Sequence, residues 1–270
     1  MKIAFICGGN MGEAIIGALL EKKLSKSTDI SVSDISELRR RYLKKQYGIT
    51  VTVNNREAIT GKDVVVLAVK PQNLNEVLID LKGFLKPGQL ILSIAAGVKI
   101  GTICQGAGHR KVIRSMPNTP AQIGLGISGW TATAEVTEKQ KGWAKTILGA
   151  MGKEIYFNDE KYLDMVTAVS GSGPAYFYLF AESLIDAAVN LGLSQKEAEA
   201  LVSQTMLGAA HLMNKSDKTP AELRRNVTSK GGTTERAIQV FEESGLAEIV
   251  SKAVKAACQR AKELGEPMKS

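Results

Sequence analysis

Short runs rich in Val and Ile recur along the first 157 residues and then stop, and this change of pattern divides the chain. Ile3 to Ile6 begins the series. It continues with ISVSD at 30–34, DVVVLAV at 63–69, LILSI at 90–94, KVIRS at 111–115, GISGW at 126–130 and EIYF at 154–157. Brief apolar stretches of this kind read as buried strands. Helical spacing separates several of them, at 35–47, 72–82 and 138–150. Strands alternating with helices imply a mostly parallel sheet covered on both faces, because parallel neighbours need a crossover connection. After residue 160 only helix signals remain. Gly173-Pro174 opens a long helix ending near Gly192, and Ser194-x-x-Glu197 and Thr219-x-x-Glu222 both carry the reciprocal capping pattern. The last helix is expected to bury a stripe at Ile249, Val250, Ala253, Val254, Ala257, Cys258 and Ala261. Broad apolar stripes in this half suit packing on each other and also association between subunits.

Composition narrows the class. A 270-residue chain with 44% hydrophobic and 23% charged residues can bury a full core, and its length favours one large domain or two modest ones, of which two is the expectation here. The net charge of +8 is scattered; its densest cluster, Arg39, Arg40, Arg41, Lys44 and Lys45, lies in one expected helix without stacking aromatics, so nucleic acid is not an expected partner. No stretch approaches the ~20 apolar residues of a membrane span, and the apolar run before Gly8 is too short for a signal peptide. Cys7, Cys104 and Cys258 lack disulfide or zinc spacing, so no metal is expected and a reducing cytoplasmic compartment fits.

The first strand runs into ICGGNMG, residues 6–12, and then into helical spacing at Met11, Ala14, Ile15, Ala18 and Leu19. Strand, glycine turn and helix are the context of a dinucleotide-binding G-x-G-x-x-G. Gly9 would let backbone N–H groups approach a pyrophosphate and Gly12 would let the helix pack close to its strand, while Cys7 replaces the glycine of the tight turn. Adjacent Gly8 is expected to supply the freedom that Cys7 lacks. Residues 1–158 are therefore expected to form a Rossmann-type domain, with a helical domain at 159–270. Ligands bind beyond the carboxyl ends of strands in such sheets. That places Lys70-Pro71, Ala95-Ala96-Gly97 and the Met116 to Pro120 loop, with Asn118, in the candidate site. Asp34, 22 residues after Gly12, would accept the ribose 2′-OH of NAD, whereas Ser33, Ser36 and Arg39 could hold a 2′-phosphate. NADPH is the expected cofactor, with NADH possible.

A second stretch, VTSKGGTTERAI at 227–238, pairs two glycines and two threonines at a helix start. Free N–H groups and the helix dipole there would stabilise a carboxylate. Thr233 is the expected N-cap, leaving Thr234 free to turn its hydroxyl outward.

Together FICGGNMGEA, LAVKPQ, SIAAG, IRSMPNTP, SGSGPAY and VTSKGGTTERAI resemble, in order and along essentially the whole chain, the pyrroline-5-carboxylate reductases. Two departures stand out: Cys7 where that family usually has glycine, and Lys230 where it usually has proline. The resemblance implies hydride transfer from NAD(P)H to the imine carbon of Δ1-pyrroline-5-carboxylate, giving L-proline. It also implies a helical domain that binds substrate and dimerises, with dimers assembling into a larger ring such as a decamer. By the same resemblance Ser229, Gly231 and Gly232, with neighbouring Thr233, hold the substrate carboxylate, and Thr234 lies against the ring nitrogen as hydrogen-bond partner or proton relay. Cofactor contacts fall to Asn10, Met11 and Gly12, to Asn55 at the adenosine side and to Ala68, Val69, Lys70, Ala95 and Ala96 at the nicotinamide, with Asn118 organising the site. A 3-hydroxyacid dehydrogenase or related imine reductase would place a catalytic lysine in the long helix, yet no lysine occurs from Ser172 to Asn190. A non-catalytic dinucleotide-binding protein would have no use for a carboxylate cradle.

Overall fold

The computed structural model describes residues 1–265. Its elements run β1 (Ile3–Ile6), α1 (Asn10–Glu21), β2 (Ile30–Ser33), α2 (Glu37–Tyr47), β3 (Thr50–Thr52), α3 (Asn55–Ile59), β4 (Val64–Leu67), α4 (Pro71–Leu81), β5 (Leu90–Ser93) and α5 (Ile100–Ala107). Then come β6 (Val112–Met116), β7 (Gly126–Ala132), α6 (Glu138–Ala150), β8 (Gly152–Tyr156) and α7 (Tyr162–Val166). The remainder is helical: α8 (Gly173–Asn190), α9 (Gln195–Lys215), α10 (Pro220–Asn226), α11 (Thr233–Glu243) and α12 (Leu246–Leu264). Two compact units are distinguished, one holding Met1–Ser172 with the described residues from Ala257 onward, the other Gly173–Ala256.

In the first unit eight strands form one sheet in the order β3-β2-β1-β4-β5-β6-β7-β8. All neighbours are parallel except β6 and β7. Strand periodicity sorts the core into two layers. Ile3, Phe5, Val64, Val66, Leu90 and Leu92 face a cluster with Ile15, Ile16, Leu19, Leu43, Ile147 and Leu148 from α1, α2 and α6. Ala4, Ile6, Val65, Leu67 and Ile91 face Ala58, Leu74, Leu78 and Ile103 from α3, α4 and α5. Central strands buried on both faces are why these segments read as continuous apolar runs.

The second unit contains α8 to α11 and the first part of α12. Both expected capping boxes form, at Ser194 with Glu197 and at Thr219 with Glu222, and Pro220 takes the first turn of α10. Phe180 and Phe241 tilt together with ring centroids 6.1 Å apart. The expectation that α12 buries its apolar stripe is corrected: Ile249 and Val250 are 57% and 52% exposed, and only Ala261 is buried. The periodicity is real, but among the described residues no other part covers the front of that stripe.

Candidate active site

The turn after β1 is built by three different constraints. Cys7 itself adopts the left-handed conformation, with φ of 78°. This corrects the expectation that Gly8 would take it; Gly8 is needed for space, since a Cβ there would overlap Leu43 Cδ1 and crowd Val32. At Gly12 a Cβ would lie 2.8 Å from the Cys7 carbonyl oxygen, so glycine is what lets α1 approach its strand. Gly9 is the N-cap of α1 and carries no side-chain cap, so the helix start, with Asn10 and Met11, keeps its N–H groups as donors. The strand order reverses between β1 and β4 around this turn.

Beside it, at the ends of β2 and β3, polar side chains interlock. The Ser33 hydroxyl donates to Asn55 Oδ1 at 2.6 Å, and Asn55 Nδ2 donates to Asp80 at 3.1 Å. Asp34 accepts from the Gly8 N–H on one oxygen and the Ser36 N–H on the other, both at 2.9 Å. Arg39 binds the Gly8 carbonyl and pairs with Glu13, while the Ser36 hydroxyl caps α2. Ser36 and Arg39 are thus engaged in shaping the turn. Glu13, which the sequence does not single out, also accepts from the Tyr42 and Tyr47 hydroxyls. Burial acts to raise its carboxyl pKa, but the hydrogen bonds from Tyr42, Arg39 and Tyr47 outweigh burial and hold it below the ordinary value. Burial, then the same carboxylate, pushes Tyr47 up to about 12.

The loops after β4, β5 and β6 emerge at the same carboxyl-terminal edge. The Ala68 Cβ sits 3.5 Å from where a Cβ would be on Gly12, so this loop adjoins the turn. Val69 packs into the core, and Lys70-Pro71 starts α4 with proline in the first turn. After β5, Ala95 is buried and Gly97 takes φ of 75° against Leu264 near the end of α12. Buried Asn118 accepts from the Ile127 N–H at 2.9 Å and so ties the loop after β6 to β7. All the sequence-derived cofactor residues therefore gather along one sheet edge.

The second stretch lies in the helical unit. Gly232, not Thr233, is the N-cap of α11, and Thr233 is its first helical residue. The expectation of a threonine cap is corrected: two glycines let the chain turn without a side-chain cap. Gly232 donates to the Ser229 carbonyl at 3.0 Å, and Gly231 donates to Glu235 Oε2 at 2.7 Å. Gly231 is thereby engaged inside the loop. No hydrogen bond from the Thr233, Thr234 or Glu235 N–H occurs among the described residues. Thr234 is half-buried and Thr233 exposed.

The turn fits a dinucleotide: an uncapped helix start faces the switch point of an open parallel sheet, and the one close backbone approach is kept free by Gly12. Fold and turn define a nucleotide-dependent oxidoreductase of the Rossmann class. Residues 2–97 match the family described as NADP oxidoreductase coenzyme F420-dependent, and residues 160–264 match pyrroline-5-carboxylate reductase dimerisation. A pyrroline-5-carboxylate reductase of Pseudomonas aeruginosa is 44% identical over 99% of this chain and 98% of its own. Among solved structures, the Coxiella burnetii pyrroline-5-carboxylate reductase superposes with a TM-score of 0.93 at 39% identity, covering 98% of this chain and 99% of that one. The Plasmodium falciparum enzyme with NADP bound gives 0.88 at 32%, covering 98% of each. The chain belongs to the pyrroline-5-carboxylate reductase family.

Proposed function

We propose that this chain reduces Δ1-pyrroline-5-carboxylate to L-proline, the last step of proline biosynthesis, with NADPH as hydride donor and NADH as a possible substitute. The observation that carries the reading is the presence, in one chain, of a dinucleotide turn and an uncapped glycine-led helix start within the segment matching the dimerisation family. The reaction adds hydride to the imine carbon and a proton to the ring nitrogen, and the bound nicotinamide supplies the hydride. The protein's own task is alignment and charge stabilisation. Gly9, Asn10, Met11 and Gly12 hold the pyrophosphate, Ser33 and Asn55 the adenosine end, and Ala68, Val69, Lys70, Pro71, Ala95, Ala96 and Gly97 the nicotinamide end, with Asn118 fixing the edge. Ser229, Gly231, Gly232 and Thr233 form the carboxylate loop; the Thr233 N–H, which has no acceptor among the described residues, is a donor for it. The Thr234 hydroxyl partners the ring nitrogen and relays its proton from water, since a threonine is too weak an acid to act alone.

The functional division falls at residues 1–158 and 159–270, in a cytoplasmic homodimer built through the helical half and extended into a ring such as a decamer. Free Cys7, Cys104 and Cys258 support a reducing compartment. No helix among the described residues is long and apolar enough to cross a membrane.

The decisive assay follows NAD(P)H oxidation with pyrroline-5-carboxylate beside its six-membered homologue and a 3-oxoacid. Turnover of the five-membered imine is expected; turnover of the 3-oxoacid alone would refute the proposal. Thr234→Ala should lower kcat by about ten- to a hundredfold, the scale of one lost transition-state hydrogen bond, while NADPH affinity stays unchanged.

A further inference from the structure

The loop that joins α10 to α11 has little to hold it. It spans Val227–Gly232, and both flanking helices are tied outside it, where Arg224 pairs with Glu242 at 3.2 Å. Within it Gly231 adopts φ of 72°, and a Cβ there would meet nothing within 4 Å. Glycine is required at that point by conformation, not by crowding. At Gly232 the reason is the reverse: a Cβ would overlap the Ser229 hydroxyl oxygen. Ser229 therefore folds back over Gly232, and the Ser229 carbonyl accepts the Gly232 N–H at 3.0 Å. Between them Lys230 leaves φ free where a proline would fix it. Two glycines and a lysine in succession lose much backbone freedom on adopting one shape, so an unsupported loop would sample many.

The α10 end of the loop is tied back to that helix, where the Thr228 hydroxyl and N–H donate to the Arg224 and Arg225 carbonyls at 2.7 and 3.1 Å; at the glycine end one side chain from outside the loop bonds to it. The Glu235 carboxylate, in the first turn of α11, accepts the Gly231 N–H at 2.7 Å. It closes the left-handed turn at its centre, and its charge is favoured at a helix start. It occupies only the Gly231 donor. The Thr233 and Thr234 N–H groups and the Ser229 hydroxyl make no hydrogen bond as donors among the described residues.

We propose that Glu235 is the positioning residue of the substrate-carboxylate loop, holding Gly231 so that Ser229 and Thr233 are presented in one arrangement. This rests on the reductase reading above and deepens it. Gly231 then serves the substrate indirectly, through the shape of the loop. A residue that only shapes a binding loop contributes equally to ground state and transition state, so its loss raises KM and spares kcat.

Glu235→Ala and Glu235→Gln separate this role from a general structural or charge effect. Glu235→Ala is expected to raise KM for pyrroline-5-carboxylate about tenfold, the scale of one charge-assisted hydrogen bond. Its kcat and NADPH affinity should stay within about twofold of the unaltered enzyme. Glu235→Gln keeps an acceptor oxygen and should restore most of the affinity. Amide hydrogen exchange of the peptide covering Ser229–Gly232, measured without substrate, should be faster in Glu235→Ala and near normal in Glu235→Gln. Unchanged exchange in Glu235→Ala, or equal loss in both variants, overturns the proposal. If exchange responds as expected but the unaltered protein reduces no pyrroline-5-carboxylate, the reductase reading fails while the clamp on the loop stands.

Discussion

Cys7 shows how much one side chain can be asked to tolerate at a nucleotide turn. Its φ of 78° lies where L-residues other than Asn and Asp are uncommon, a cost of roughly 1–2 kcal/mol. Burial pushes its thiol pKa up, against the pull of the Gly9 N–H, and the charge of Asp34 adds to the rise. The thiol is consequently a packing group, poorly suited to act as a nucleophile at neutral pH. The sequence disclosed the motif through Gly9 and Gly12, yet it could not disclose which residue would carry the strain, because Leu43 and Val32, distant in the chain, decide how much space Gly8 has. Cys7→Gly should leave stability within about 1 kcal/mol of the unaltered protein, since relief of strain is offset by the greater freedom of the unfolded chain. Cys7→Val, β-branched at the same φ, should lose about 1–3 kcal/mol in urea unfolding and weaken NADPH binding. A Val variant as stable as the Gly variant would show that the left-handed turn is not the constraint.

At the level of elements, α1 is fixed to α2 by polar contacts as well as by the shared core. Glu13 on α1 receives Arg39, Tyr42 and Tyr47, all from α2, and Arg39 continues to the Gly8 carbonyl. Because the carboxyl pKa of Glu13 is lower folded than its ordinary 4.5, its ionised form favours folding. That contribution is complete above about pH 4.5 and fades as pH falls through the lowered folded value. Glu13→Gln should therefore reduce stability at pH 7, and the difference from the unaltered protein should shrink as thermal unfolding is repeated toward pH 3. A constant difference across that range would assign the effect to shape, not charge. None of this network was legible beforehand, since it joins residues about 30 positions apart. The same limit explains the elements that were missed. β3 is three residues at a partly exposed sheet edge, too short to show a period, and α5 carries two glycines that mask its spacing. Central strands and capped helices were legible because their signals are local: short runs rich in Val, Ile and Leu for β1, β2, β4 and β5, and Ser or Thr with a matching Glu for α9 and α10.

For the whole molecule, the contrast between the two compact units is one of burial. The first encloses two clusters of fully buried aliphatic side chains, whereas the second buries few residues of any kind. On α8 Phe177 and Leu179 are 65% and 64% exposed, and Leu201, Leu207 and Leu212 on α9 are also open. Exposed apolar patches of such extent mark association. Helical periodicity disclosed which faces were apolar but not what covers them, because a stripe looks the same whether its neighbour lies in the same chain or another. A symmetric dimer places each interface residue there twice, so one substitution introduces two buried charges. Leu179→Glu should consequently shift sedimentation toward the 28.9 kDa of a single chain while circular dichroism retains the helical signal. Unchanged sedimentation of the variant, or an unaltered protein already at that mass, would mean that the apolar face of α8 is not where copies of the chain meet.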